Sequence, residues 1–250
     1  PLYYGHSLRR RPVARVVDEM ADNVVRYGIR EFFIWADTFT ADCDYVREFC
    51  RTILARGLKV SWTCNSRVDT IDEETLSRMK EAGLWMISYG LESANEAVLA
   101  ASGKGITAAQ SRGAVEMAHR LGIRTAGHFI FGLPGETRET MAETLAFALS
   151  LPLDIAQFYA AAPFPGTALY NEALEKGWLK HGGEPVLSQS SAAMALPGLS
   201  AEEVDAFRRY AFRRVYLRPR AAARLFSMVE PAAVAALIPV LRRFRRWTGT

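Results

Sequence analysis

A chain of 250 residues with 50% hydrophobic, 11% aromatic and 23% charged side chains has a globular composition and is long enough for one large core or two small ones. Disorder, collagen-like repeats and a disulfide-stapled miniprotein are excluded. The net charge of +4 is unevenly spread, because Ser200 to Thr250 carries eleven arginines against four acidic residues. Cys43, Cys50 and Cys64 form an odd set at irregular spacing. They point to a reducing, cytoplasmic setting rather than a secreted disulfide framework, and they match no Cys-x-x-Cys metal pattern. The longest apolar stretch, Leu225 to Leu241, is broken by Glu230, Pro231 and Pro239 and does not read as a membrane span. The start, Pro1-Leu2-Tyr3-Tyr4, has neither an initiating Met nor a signal-peptide pattern, so the chain is expected to be a piece of a longer one.

Pro12 opens a helix with an apolar stripe at Val13, Val16, Val17, Met20 and Val24, stopped by Gly28. A strand from Phe32 to Ala36 follows. Then come a helix from about Asp42 to Arg56, a strand from Lys59 to Cys64, a helix from Asp72 to Gly83 and a strand from Leu84 to Tyr89. Two helices, near Asn95 to Ala101 and Thr107 to Leu121, precede the strand Thr125 to Phe131. A helix from about Thr137 to Leu151, the strand Ile155 to Tyr159 and a short helix near Thr167 to Lys176 close the series. Five successive β/α units fit an α/β protein built as a (β/α) barrel or a large part of one. The alternative is a doubly wound open sheet, although no Gly-x-Gly-x-x-Gly follows any strand. The domains read as a core over 1–181, a polar linker over 182–199 and a basic helical region over 200–250.

In both architectures chemistry collects at the C-terminal ends of parallel strands. Those ends read Trp35-Ala36-Asp37-Thr38-Phe39-Thr40, Cys64-Asn65-Ser66-Arg67-Val68-Asp69, Gly90-Leu91-Glu92-Ser93, Gly132-Leu133-Pro134-Gly135-Glu136-Thr137 and Pro163-Phe164-Pro165-Gly166-Thr167. Taken singly, Asp37 or Thr40, Asp69 or Thr70, Ser93, Glu136 or Thr137, and Thr167 could each cap the helix that follows. Taken together, Arg67 and Glu92 have no helix-capping purpose and argue for a site.

These segments, together with His128-Phe129-Ile130-Phe131 ahead of Gly132 and Leu169-Tyr170 after Thr167, resemble the strand-end motifs of radical S-adenosylmethionine (SAM) enzymes. The likeness is greatest to the cobalamin-associated group that includes anaerobic magnesium-protoporphyrin ester cyclases and hopanoid-associated enzymes. It covers roughly Tyr4 to Leu179. The resemblance implies a partial (β/α)6 TIM-like barrel lacking its first strand, followed by the C-terminal helical region. It also implies SAM and a [4Fe–4S] cluster as cofactors, with cobalamin supplied by a further domain. Ala36, Asp37 and Thr38 fall where the family receives the amino group of SAM, and Arg67 where a fork suits its methionine carboxylate. Glu92 and Ser93 fall near the ribose and methionine, and Ile130 and Gly132 on the adenine-contacting strand.

Alternation along the strand sets His128, Ile130 and Gly132 on one face and Phe129 and Phe131 on the other. His128 and Tyr159 are the candidate catalytic residues. Each also reads as interior polar filling, as does Gln157 beside Tyr159. No metal-ligand residue is assigned, because the sequence has no Cys-x-x-x-Cys-x-x-Cys and its three cysteines cannot reproduce that loop. Truncation just after such a loop is the expected reason.

The implied activity is generation of a 5′-deoxyadenosyl radical, or cobalamin-dependent methyl transfer, on a small or lipophilic organic substrate. Flavodoxin or ferredoxin would be the electron donor. The alternative is a cluster-independent barrel enzyme or small-ligand binding module. The basic tail reads either as a helical cap or as a peripheral membrane contact. Nucleic-acid binding is not expected, since aromatic residues are not interleaved with the arginines.

Overall fold

The computed structural model describes residues 9–180 and 189–218. The arginines from Arg220 onward and the apolar stretch Leu225 to Leu241 lie outside the described residues. The protein is an α/β fold around a parallel sheet in the order β1-β2-β3-β4-β5. Its strands are β1 (Glu31–Ile34), β2 (Ser61–Ser66), β3 (Leu84–Glu92), β4 (Arg124–Phe131) and β5 (Ile155–Ala160). The described helices are α1 (Val13–Tyr27), α2 (Cys43–Ala55), α3 (Glu73–Glu81), α4 (Glu96–Ala101), α5 (Ala108–Arg120), α6 (Arg138–Ser150), α7 (Ala168–Glu175) and α8 (Ala201–Tyr216). Two compact units result. One holds the described residues up to Leu91 with Ile106–Gly127 and Leu151–Leu153. The other holds Glu92–Gly105, His128–Ser150 and the described residues from Asp154 on.

In the first unit, helix termini follow the residues that satisfy orphan backbone groups. Gly28 takes φ 69° after α1 and its N–H returns to Val24 O at 3.1 Å. Gly83 (φ 100°) is required twice over, since a Cβ there would meet Val60 O at 2.1 Å. Register aligns Ile34, Cys64 and Ile87 on one row and Phe33, Thr63 and Met86 on the next. Cys64 and Ile87 are buried, together with Val46, Phe49, Cys50 and Ile53 of α2. Trp62 packs edge-to-face on Phe49 (5.4 Å) and Phe39 (5.7 Å) and donates Nε1–H to Ala82 O at 2.8 Å.

The strand bounds differ from the sequence expectation most at the ends of β1, β2 and β3. β1 stops at Ile34, where Trp35 is 86% exposed on an edge strand. β2 continues beyond Cys64, because Asn65 and Ser66, although polar, still pair in register with Ser88 and Tyr89, and β3 runs on to Glu92.

In the second unit, Phe129 and Phe131 are buried and both stack on Phe158 at 5.4 Å, and Phe131 meets Phe207 of α8 edge-on at 5.2 Å. His128 and Ile130 alternate with them as half-buried residues. Within 189–199, Ala192, Ala193, Met194, Leu196 and Leu199 are buried, and Met194 shares a cluster with Val98, Leu133, Ala161 and Ala173. Arg208, counted with the exposed basic tail from sequence, is buried instead. It donates to Ser190 O and lies 3.6 Å from Asp205, because α8 turns that face inward.

At the edge strand β5, the Tyr216 hydroxyl accepts from Ala156 N at 3.0 Å and donates to Ala156 O at 2.8 Å. One side chain thereby closes two backbone groups that no further strand pairs among the described residues. Tyr216→Phe is expected to cost about 2 kcal/mol in urea unfolding, the scale of stranding buried polar groups. An unchanged midpoint would show that water replaces the hydroxyl there.

Candidate functional site

Most of the polar residues at the strand ends are not used as helix caps. Asp42 caps α2 by accepting from Tyr45 N (3.0 Å), Asp72 caps α3 by accepting from Thr75 N (2.7 Å), and Asn95 caps α4 by accepting from Ala97 N and Val98 N. The Asp72 carboxyl is held below its usual range, chiefly by the Thr75 N–H. Asp37, Thr40, Asp69 and Thr70 are thus released from the capping role that the sequence alone allowed them. Thr167 does cap α7, accepting from Tyr170 N at 3.2 Å.

In the first unit, the loop after β1 is anchored by Phe39, which is 8% exposed and packs against Phe49. Thr40 Oγ1 lies 2.6 Å from Ser66 Oγ and 2.7 Å from Thr70 Oγ1, tying this loop to the one after β2. Asn65 Nδ2 donates to Ala36 O at 3.4 Å. Between these ties Thr38 is half-buried and Asp37 is exposed, on the same alternation as Trp35. Arg67 is oriented by a two-point pair with Asp69, Nε–Oδ1 at 2.9 Å and Nη2–Oδ2 at 2.7 Å. That Asp69 sets the Arg67 fork is not legible in the sequence, where Asp69 reads equally as a helix cap.

In the second unit, Glu92 adopts φ 61°, alone among described non-glycine residues in that region. Such strain persists only where neighbours hold it and is a mark of functional positions. Its carboxylate pairs with Lys104, and both side chains are only 17% exposed. Lys104 sits between Gly103 and Gly105, each at φ 67°. That Gly-Lys-Gly pattern after a short helix is the signal by which sequence reasoning could have found Lys104, and did not. Ser93 is fully buried, with Oγ 3.0 Å from Thr144 Oγ1 and accepting from Asn95 N at 3.2 Å, so its hydroxyl shapes the turn beside Glu92. Ile130 packs against the Val98–Leu133–Ala161 cluster. Gly132 (φ 83°) and Leu133 both donate N–H to Glu136 Oε2, the latter at 3.2 Å.

His128 stacks on Tyr159, with centroids 5.8 Å apart and planes at 24°. The Tyr159 hydroxyl donates to Gln157 Oε1. Burial lowers the His128 pKa, a shift that Glu92 opposes and Lys104 reinforces. The ring is therefore neutral near pH 7. The predicted residues thus divide between the units: Ala36, Asp37, Thr38 and Arg67 in one, and Glu92, Ser93, His128, Ile130, Gly132 and Tyr159 in the other.

The cysteines do not fit an iron–sulfur cluster. Cys50 and Cys64 are buried, and burial pushes the Cys50 thiol up to about 12 and raises that of Cys64 as well, against the thiolate a cluster needs. Cys43 donates to Thr70 O at 3.2 Å. Among the described residues no group of three His, Cys, Asp or Glu side chains is placed to hold a metal ion. Reconstitution of this chain with iron and sulfide is expected to yield no [4Fe–4S] absorption and no reductive cleavage of SAM; a cluster signal lost in Cys43→Ala would contradict this. No described helix is long and apolar enough to cross a membrane.

Comparison with known proteins agrees with the strand-end pattern. Residues 3–148 match the radical SAM superfamily. An uncharacterized methyltransferase of Pyrococcus horikoshii is 36% identical over 219 residues, which are 88% of this chain and 48% of that protein. An anaerobic magnesium-protoporphyrin IX monomethyl ester cyclase of Cereibacter sphaeroides is 35% identical over 173 residues, 68% of this chain and 28% of the cyclase. The chain thus spans half or less of these relatives. Among solved structures, a radical SAM methyltransferase of Kitasatospora setae with cobalamin and a [4Fe–4S] cluster bound superposes with a TM-score of 0.64 at 20% identity, over 90% of this chain and 48% of that one. That likeness speaks for the fold.

Proposed function

The chain belongs to the radical SAM superfamily, and from that premise we propose that it is the SAM-binding core of an enzyme performing radical chemistry, methyl transfer foremost, on a small organic substrate. The observation that carries this reading is that Asp42, Asp72 and Asn95 cap α2, α3 and α4, so the exposed Asp37 carboxylate is not used as a cap. Asp37 gives the SAM ammonium an exposed carboxylate at the end of the Ala36-Asp37-Thr38 segment. Arg67, pre-set by Asp69, receives the methionine carboxylate. Glu92, with Lys104 and the Ser93 turn behind it, meets the ribose and methionine. Ile130 and Gly132 are the positions that the resemblance gives to adenine. His128 and Tyr159 face the substrate, where a neutral imidazole and a phenol exchange protons or hydrogen bonds.

In this family the cluster supplies an electron to the sulfonium of SAM; Cys43, Cys50 and Cys64 do not hold it, and no step is assigned to it here. Cobalamin enters the reading through the Kitasatospora setae methyltransferase, whose structure has it bound, with a further domain to hold it as the resemblance implies. A flavodoxin- or ferredoxin-like donor, a cytoplasmic setting and peripheral membrane contact through the arginine-rich tail complete it. The cysteine placement favours one second reading, a cluster-independent barrel that binds a small polar ligand through the same residues.

Ultraviolet crosslinking of methyl-labelled SAM to the chain tests the proposal. Label is expected on peptides spanning 35–41, 64–70, 90–104 and 128–136. Label confined to other peptides, or none competed by S-adenosylhomocysteine, would overturn it.

A further inference from the structure

The turn after β3 is pinned to α6 from behind. Ser93 Oγ lies 3.0 Å from Thr144 Oγ1, Ala94 N donates to the same hydroxyl at 3.1 Å, and Asn95 N donates to Ser93 Oγ at 3.2 Å. These bonds fix the backbone of Glu92, at φ 61°, but leave its carboxylate to be set by something else. Lys104 sets it, and a second turn brings Lys104 there. After α4, Ser102 N and Gly103 N close on Val98 O and Ala100 O at 3.0 and 3.1 Å. A Cβ at Gly103 or Gly105 would meet nothing within 4 Å, so what these glycines supply is left-handed backbone, φ 67° at each, that returns Lys104 to Glu92. The ion pair is made through Glu92 Oε1, and Oε2 is the oxygen left to accept from a ligand.

With both side chains 17% exposed, the pair is largely withdrawn from water. Desolvation of the two charges offsets much of their attraction, so the pair adds little net stability. What it does supply is direction, because a carboxylate held at one oxygen by a cation has its rotamer and its plane set. We propose that Lys104 is a positioning residue that acts through Glu92, aiming the carboxylate at the ribose hydroxyls of SAM. The proposal rests on the reading of Glu92 as a ribose contact. The ligand chemistry it selects is a nucleoside with hydroxyls that donate to an oriented carboxylate, whatever is attached at the 5′ position.

The test is calorimetric titration of the full chain with three probes. SAM carries every group; adenosine keeps the ribose but lacks the methionine; 2′,3′-dideoxyadenosine lacks both ribose hydroxyls. Lys104→Met is expected to weaken SAM and adenosine alike, by about 10-fold, and to leave dideoxyadenosine unchanged. Lys104→Arg, which keeps a cation for Oε1, is expected to recover most of the adenosine affinity. In a Glu92→Gln background, Lys104→Met should cause no further loss, since a residue that acts through Glu92 has nothing left to position.

Unchanged binding in Lys104→Met would overturn the positioning role. A loss with SAM but not with adenosine would make Lys104 a direct ligand of the methionine and overturn it too, and an equal loss on all three probes would reduce Lys104 to a structural residue. If Lys104→Met does not fold, the Lys104→Met/Glu92→Gln variant, which leaves no charge of the pair unpartnered, decides: weaker adenosine binding than in Glu92→Gln alone overturns the proposal. A wild type that binds neither SAM nor adenosine would instead strike the functional reading, and the role of Lys104 with it.

Discussion

Glu136→Gln is expected to remove a pH dependence worth roughly 3 kcal/mol of stability between about pH 4.5 and 7. Glu136 is 2% exposed, and burial pushes its carboxyl up to about 7 against the opposing pull of the Gly132 and Leu133 N–H groups. Oε2 takes those two N–H groups, whereas Oε1 is buried with no hydrogen-bond partner among the described residues. A carboxyl whose folded pKa is raised binds a proton more tightly folded than unfolded. Its stabilisation is therefore complete below about pH 4.5, is lost as pH rises through about 7, and is flat above. Urea midpoints across pH 4 to 8 should fall for the wild type relative to Glu136→Gln. Parallel curves for the two proteins would mean that Oε1 is hydrated and the carboxyl ordinary.

Asp37→Asn and Arg67→Met should each weaken SAM binding about 10- to 100-fold, the scale of one lost charge-assisted hydrogen bond or pair. Neither replacement touches a helix cap, so thermal midpoints should stay near wild type. Thr167→Ala supplies the opposite control: it removes a true cap, costing about 1 kcal/mol of stability, and should leave SAM affinity alone. Arg67→Lys should recover only part of the affinity, because an ammonium cannot keep the two-point contact with Asp69 while serving a ligand.

The succession of helices and strands was legible because each helix bears an apolar stripe and a cap or glycine at its ends, and each strand a short apolar run. Where polarity and pairing part company, the sequence misled: Asn65 and Ser66 look like loop yet extend β2, and Arg208 looks like surface yet is buried. For the candidate site proposed above, residue types singled out Asp37, Arg67 and Glu92, because chemistry resides in the side chain itself. The partners Asp69 and Lys104 escaped for different reasons. Asp69 also read as a cap, and Lys104 is twelve residues from Glu92, brought to it by the turn that Gly103 and Gly105 allow. The φ of Glu92 is a property of the folded backbone that no composition reveals.

The central claim, that carboxylates at the strand ends are kept for SAM rather than for the fold, is tested most directly by calorimetric titration of SAM into the wild-type chain and into an Asp37→Asn/Glu92→Gln double variant whose near-ultraviolet circular dichroism matches the wild type. Saturable one-to-one binding to the wild type is expected, with a loss of at least about 100-fold in the double variant. Equal affinity in the two proteins, or no saturable binding to the wild type, would contradict it.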